Sequence, residues 1–143
     1  KDPDFKKSQN DDILSMATGL RGFKGRVHFQ FTPCINPELE KIPEDADKQE
    51  KIHMVCNIID KTIHANYKIF PCNYIAYDML NNTKKFAEHY TDDDVKFFTN
   101  YLSRRIQKVK VPTDDDDKKF LEEKILEMYA NPLVNKLKAL DEI

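Results

Sequence analysis

One stretch of the sequence decides the predicted fold: Arg21-Gly22-Phe23-Lys24-Gly25-Arg26-Val27-His28-Phe29-Gln30-Phe31. From residue 26 to residue 31, apolar and polar side chains alternate, with Val27, Phe29 and Phe31 on one side. This period of two is typical of a half-buried β-strand. Because a single strand cannot satisfy its own backbone hydrogen bonds, we expect residues 26–31 to pair with a missing part of a larger protein or with another copy of the chain.

The composition indicates a folded domain. Of the 143 residues, 40% are hydrophobic and 34% are charged, which suits one globular domain with a core. The net charge of −2 excludes a nucleic-acid-binding field over the whole chain, so we expect no nucleic-acid partner. The cysteines, Cys34, Cys56 and Cys72, are odd in number and widely spaced, which favours a reducing compartment over a disulfide framework.

The sequence shows neither a membrane span nor a secretory signal. No apolar run approaches the ~18 residues that a membrane-spanning helix needs, and the first residues lack the signal-peptide pattern. The chain starts at Lys1 without an initiator methionine, and from this we expect a cut fragment or a processed chain.

Beyond residue 45 the apolar residues recur at helical spacing. On the first long helix one apolar stripe predicts a core-facing side that includes Cys56; its members are Ile52, Val55, Cys56, Ile59, Ile63 and Tyr67. Aspartate runs behind Thr91 and Thr113 predict helix starts, since threonine caps the first amides and acidic side chains suit the positive end of the helix dipole. The predicted helices cover residues 45–67, 74–81 with an extension to about 89, 92–110, 114–130 and 132–140, and a short one covers 11–18 up to Gly19. The sequence therefore predicts a mainly α fold, a bundle of four or five amphipathic helices with one N-terminal β-strand.

His53, Asp60 and His64 share a narrow sector of the first long helix and so raise the question of a metal site. His53 and His64 are eleven residues apart, about 16 Å along the axis, which is too far to share one ion. A surface pair of Asp60 with His64 explains the remaining spacing. The run Asp114–Asp117 points to several helix faces and cannot converge on one cation, so we predict no metal site.

His89 and Asp94 match the spacing of a His and an Asp in certain acyltransferases. In those enzymes the carboxylate orients a His that acts as general base on a substrate hydroxyl. The predicted helix start at Thr91 also explains Asp94, as part of the cap, and both interpretations stay open.

The best candidate binding site is the basic loop formed by Arg21, Lys24 and Arg26. Guanidinium and ammonium groups beside glycine-exposed amides suit a phosphate or a carboxylate. The alternative is a solvated turn whose charges keep a strand edge from aggregating.

Three parts of the sequence resemble a known family. They are Asp11–Leu20 with Gly22–Phe29, Asn66–Tyr67 with Phe70–Asp78, and Tyr129–Pro132. The first resembles the closing part of the catalytic domain of bacterial glycerolipid (lysophosphatidate-type) acyltransferases. The others are similar to the C-terminal extension of that family's large hemolysin-like variants in the Bacteroides group. The resemblance implies that residues 1–40 are the closing loop and strand of an α/β catalytic domain, and that residues 41–143 are a helical C-terminal extension.

The resemblance implies transfer of an acyl group from acyl-CoA or acyl carrier protein to a glycerolipid hydroxyl. It places the protein in the cytoplasm, peripheral at the inner membrane. The partners would be the rest of the catalytic domain, the acyl donor and the membrane surface. The basic loop would lie on the acceptor-phosphate side, with Arg21, Lys24 and Arg26 as the contacts.

The chain also departs from the family pattern. The family's His-plus-Asp motif precedes the strand, whereas His89 and Asp94 follow it, and Phe31-Thr32-Pro33 stands where the family has Gly-Pro. No catalytic residue carries over. We therefore expect no cofactor and no activity from this chain alone.

Other classes of function stay open. One is a non-enzymatic helical protein-interaction module, and another is a metal-dependent enzyme using His53, His64 and the Asp runs. The coding sequence upstream of Lys1 separates the acyltransferase from the interaction module, because an apolar segment and a His-plus-Asp motif there would favour the acyltransferase. Metal analysis of the purified chain tests the metal-dependent enzyme.

Overall fold

Six α-helices and one 3-10 turn make up the regular structure of the described residues. The structure is a computed structural model and describes residues 6, 8–22, 25–109 and 114–141. The helices are α1 (Gln9–Arg21), α2 (Asn36–Leu39), α3 (Lys48–Ala65), α4 (Pro71–Asn81), α5 (Asp92–Gln107) and α6 (Asp115–Ala139), and the 3-10 turn Ala87–His89 lies between α4 and α5. The prediction of a mainly α fold is confirmed.

The predicted N-terminal β-strand is wrong. None of the described residues belongs to a strand, and residues 27–35 are irregular. Phe29 and Phe31 are 83% and 93% exposed, so the apolar side chains of this segment pack against no apolar layer. A strand needs a second strand for its hydrogen-bond ladder, and no segment in the described ranges supplies one.

α4 and α6 form the centre of the core, with the most extensive contact between any two described helices. The central buried cluster consists of Ile75, Ala76, Phe98, Leu102, Leu126 and Ala130. Ala76 and Ala130 are almost fully buried, and their short side chains suit a close approach of α4 to α6. α3 also packs on α6 and α2 on α3, whereas α1 contacts no other described helix. The division of the chain at residue 40 stays a prediction.

Asn73 fixes the start of α4 and also joins it to α6. Its side-chain oxygen accepts a hydrogen bond from the Phe70 amide at 2.8 Å, and its Nδ2 donates to the Tyr129 carbonyl at 2.8 Å. The predicted helix start after Asn73 is therefore wrong. α4 begins at Pro71, where the missing amide hydrogen costs nothing because the first turn leaves it unused.

α6 runs through Pro132 without a break, so the predicted end at residue 130 and restart at residue 132 are wrong. A proline inside a helix removes the amide that would bond to the carbonyl four residues back, at a cost of about 3 kcal/mol. Ala130 and Leu133, on either side of Pro132, are both buried. Packing of both halves of α6 on the same core offsets the cost.

α1 ends at Arg21 and continues past Gly19, which was the predicted end. The Gly22 amide donates to the Thr18 carbonyl at 2.9 Å. A Cβ at Gly22 would lie 2.8 Å from that same oxygen, so a larger residue would force the helix end to shift. Gly25 then takes a left-handed backbone with φ of 64°, which favours glycine.

α3 turns much of its predicted core stripe outward. Ile52, Ile59 and Ile63 are 39–46% exposed, and Cys56 is also exposed. The prediction that Cys56 lies in the core is wrong. α3 rests on α6, and its better covered side chains, such as Ile58, lie outside the exposed stripe.

The buried carboxylate of Asp78 anchors the loop between α4 and α5. It accepts hydrogen bonds from the Thr83 hydroxyl at 2.7 Å, the Phe86 amide at 3.0 Å and the Tyr90 hydroxyl at 2.8 Å. Burial raises the pKa of Asp78, but these hydrogen bonds together lower it by more than burial raises it. The pKa of Asp78 therefore lies below its ordinary value.

Two neighbouring phenylalanines test the position of the core. Phe98 is 3% exposed and Phe97 is 77% exposed. Phe98→Ala is expected to lower the free energy of unfolding by about 3–5 kcal/mol, because it removes buried apolar surface and leaves a cavity. Phe97→Ala is the matched control and should change it by less than about 0.5 kcal/mol. Urea unfolding followed by circular dichroism measures both, and equal effects would contradict the core described above.

The Asp78 network predicts a dependence of stability on pH. The folded-state pKa of Asp78 is lowered from its ordinary value of 3.8. The ionised carboxylate therefore stabilises the folded state fully above pH 3.8, and this stabilisation is lost as the pH falls through the lower folded-state pKa. Asp78→Asn is expected to lower the free energy of unfolding by about 1–3 kcal/mol at neutral pH. The reason is that the amide NH2 group of the asparagine, itself a donor, would face groups that donate to the carboxylate. The variant should also lose less stability than the parent below about pH 4.

Urea unfolding across this pH range measures the Asp78 effect. Asp45→Asn, at an exposed turn carboxylate, is the control and should behave as the parent protein does. Parallel pH curves for Asp78→Asn and the parent would show that the Asp78 hydrogen bonds do not stabilise the folded state.

Candidate functional site

Arg26 lies near the N-terminal ends of α4 and α5. Its guanidinium acts electrostatically on the Cys72 thiol and the Asp94 carboxylate. Among the described residues, the side-chain hydrogen bonds and ion pairs involve neither Arg21 nor Arg26. Lys24, the third member of the predicted phosphate site, lies outside the described residues. The predicted phosphate site therefore stays a prediction, and the structure adds that Arg26 has an anionic neighbour.

Asp94 belongs to the cap of α5. Its carboxylate accepts hydrogen bonds from the Thr91 amide at 2.9 Å and the Thr91 hydroxyl at 2.7 Å. These bonds hold the pKa of Asp94 below its usual value, and the Arg26 guanidinium lowers it further. His89 instead stacks on Tyr74, with ring centroids 4.3 Å apart. No described hydrogen bond joins His89 to Asp94, so the geometry favours the cap over the catalytic pair.

Cys72 occupies the first turn of α4 and is half-buried. Burial raises the pKa of its thiol, and the Cys72 and Asn73 amides and the Arg26 guanidinium reverse only part of that rise. The thiol is therefore held in its protonated form at neutral pH, in which it is a weak nucleophile.

A hydrogen-bonded pair of tyrosines joins α5 to α6. The Tyr129 hydroxyl donates to the Tyr101 oxygen at 2.8 Å, and Arg105 Nε donates to the same oxygen at 2.8 Å. Burial is the main cause that raises the pKa of Tyr129, and the hydrogen bond to Tyr101 raises it as well. The sequence did not lead to a prediction of this cluster. The four-residue spacing of Tyr101 and Arg105 on one helix was the available signal.

A cavity of about 450 Å³ separates the irregular segment from the C-terminal end of α3. Thr32 lines it on one side and Lys68 on the other. Lys136 of α6 donates to the Tyr67 carbonyl at 2.8 Å and thereby fixes the chain on the α3 side. The walls carry hydroxyl, amide and ammonium groups beside the apolar side chains of Ile63 and Phe70, so the cavity is mixed in character.

The described residues contain no group of three or more His, Cys, Asp or Glu side chains placed to hold a metal ion. In particular, His53, Asp60 and His64 do not form such a group. None of the helices in the described part of the chain has the length and the apolar character needed to cross a bilayer.

Comparison of the chain with protein-family models, with curated proteins and with solved structures gives no match.

The placement of Arg26 beside Cys72 predicts an order of thiol reactivity. Maleimide labelling should be several-fold slower at half-buried Cys72 than at exposed Cys34, because burial limits access and raises the thiol pKa. Arg26→Gln should slow the labelling of Cys72 further, because the Arg26 guanidinium lowers the pKa of that thiol. The labelling of Cys34 should not change, and Cys34 is therefore the control within the same molecule. Mass spectrometry of labelled peptides gives both rates. An unchanged labelling rate of Cys72 in Arg26→Gln would show that the Arg26 guanidinium does not act on the Cys72 thiol.

Proposed function

We propose that this chain is the C-terminal, non-catalytic part of a glycerolipid acyltransferase and that residues 27–31 dock it against the catalytic part. The observation that carries the proposal is the exposure of the apolar side chains Val27, Phe29 and Phe31. Burial of side chains of this kind contributes about 1.5–3 kcal/mol each, so three on five residues form a strong anchor for a partner surface.

The partner is chosen by the sequence resemblance, because the docking segment overlaps the part that resembles the end of an acyltransferase catalytic domain. The helical unit around α4 and α6 has its own buried core, which suits an extension attached to that domain. The reaction would move an acyl group from acyl-CoA or acyl carrier protein to a glycerolipid hydroxyl at the cytoplasmic membrane face.

The basic side chains Arg21, Lys24 and Arg26 are proposed to face the acceptor phosphate. Arg26 already acts on the Asp94 carboxylate. A phosphate would compete with Asp94 for this guanidinium, and its two negative charges would favour it in that competition.

The assay compares this chain with the protein encoded when the reading frame is extended upstream of Lys1. Each is incubated with radiolabelled palmitoyl-CoA or palmitoyl-acyl carrier protein and with lysophosphatidate. The extended protein should form phosphatidate and this chain should form none. Phe29→Asp with Phe31→Asp in the extended protein should reduce the rate by at least about tenfold, since a misplaced domain disturbs reacting geometry.

Phe97→Asp is the matched control, because Phe97 is also an exposed phenylalanine but lies on α5, away from the docking segment. It should leave the rate unchanged. Turnover by this chain alone would contradict the proposal, as would full activity of the double variant. An upstream reading frame without an apolar segment and a His-plus-Asp motif would favour the helical interaction module instead.

A further inference from the structure

Two of the described helices carry exposed apolar faces that have the same spacing. On α3 the exposed stripe consists of Ile52, Cys56 and Ile59, followed one turn later by Ile63. On α1 the apolar face contains Ile13, Ala17 and Leu20, with Ile13 and Leu20 at least 60% exposed. Both triplets repeat at i, i+4 and i+7, which is the spacing of a seam between two packed helices.

We propose that α1 is a strap that closes over the exposed stripe of α3 in the same molecule, with the two helices parallel. In this register Ile13 lies against Ile52, Ala17 against Cys56 and Leu20 against Ile59. The lengths agree. α1 has 13 residues, or about 20 Å, and the stripe from residue 52 to residue 63 is about 16 Å long.

The path of the chain brings α1 within reach of the α3 stripe. His28 lines the same cavity as Thr62 and Ile63, so the irregular segment passes the C-terminal end of α3. Gly22, directly after α1, is six residues from His28 and therefore at most about 20 Å from it. A tether of this length lets α1 reach the whole stripe. In the parallel register, the last turn of α1 lies toward the C-terminal end of α3 and its first turn toward Lys48.

A cavity beside the α3 stripe receives Leu14, one of the two large apolar side chains that flank the apolar face of α1; Met16 is the other. It measures about 420 Å³, and its walls include Lys51, Val55 and Cys56. Leu14 flanks the apolar face of α1 and in the parallel register lies level with this cavity, on the same side of the seam.

Disulfide trapping tests the closed arrangement, because Cys56 already lies on the proposed seam. In the full chain carrying Cys34→Ser, Ala17→Cys places a second thiol opposite Cys56. Ser15→Cys is the matched control, because residue 15 lies on the opposite face of the same helix. After brief oxidation with diamide, non-reducing gels and peptide mass spectrometry quantify intramolecular 17–56 and 15–56 disulfides.

The 17–56 disulfide should form at least about tenfold faster than the 15–56 disulfide, since only the former pair meets in the closed arrangement. Adding Leu20→Asp to the Ala17→Cys chain should remove most of that advantage. Equal rates for the two pairs would overturn the proposal. Predominant disulfide-linked dimers that decrease on dilution would also overturn it, in favour of α1 exchanged between two copies. The result does not depend on the proposed acyltransferase function, because the assay contains neither acyl donor nor acceptor.

Discussion

The contact between α4 and α6 is the constraint on which the rest of the helical unit depends. Ala76 and Ala130 suit a close approach of the two helices, and the Asn73 amide donates across the contact to the Tyr129 carbonyl. Buried polar groups are costly when unpaired, so this bond favours a single register between the helices. The contact also explains why α6 tolerates Pro132, since a break there would remove half of α6 from the core.

The segments before α3 lie outside this core. Helix α1 satisfies its own backbone through its turns and through the Ser8–Asp11 cap, and it contacts no other described helix. Residues 27–31 have no such local solution, because an extended chain needs a neighbouring strand. Their exposed aromatic side chains connect structure to function, since burying them requires another surface. In the proposed acyltransferase the catalytic part would supply that surface, and the proposed α1 strap concerns the separate stripe on α3.

The candidate site was partly predictable. Thr91 and the aspartates after it indicated the start of α5, and the same residues explain why Asp94 bonds to the cap instead of to His89. The proximity of Arg26 to Asp94 was not predictable, because no local rule brings together residues so far apart in the chain. The same holds for the Tyr101–Tyr129 bond, which exists only because α5 and α6 lie side by side.

By itself the sequence determined where most helices form, because capping residues, aspartate runs and apolar periodicity act within a few residues of each other. It did not determine which face of a helix is covered. Cys56 and Cys72 show this, since the apolar stripe holding Cys56 is exposed, whereas Cys72 beside a proline is half-buried. Only the tertiary structure decided this, and it also decided the loss of the predicted strand and the continuity of α6. Burial and strand pairing depend on distant partners, and a local pattern cannot specify whether such a partner is present.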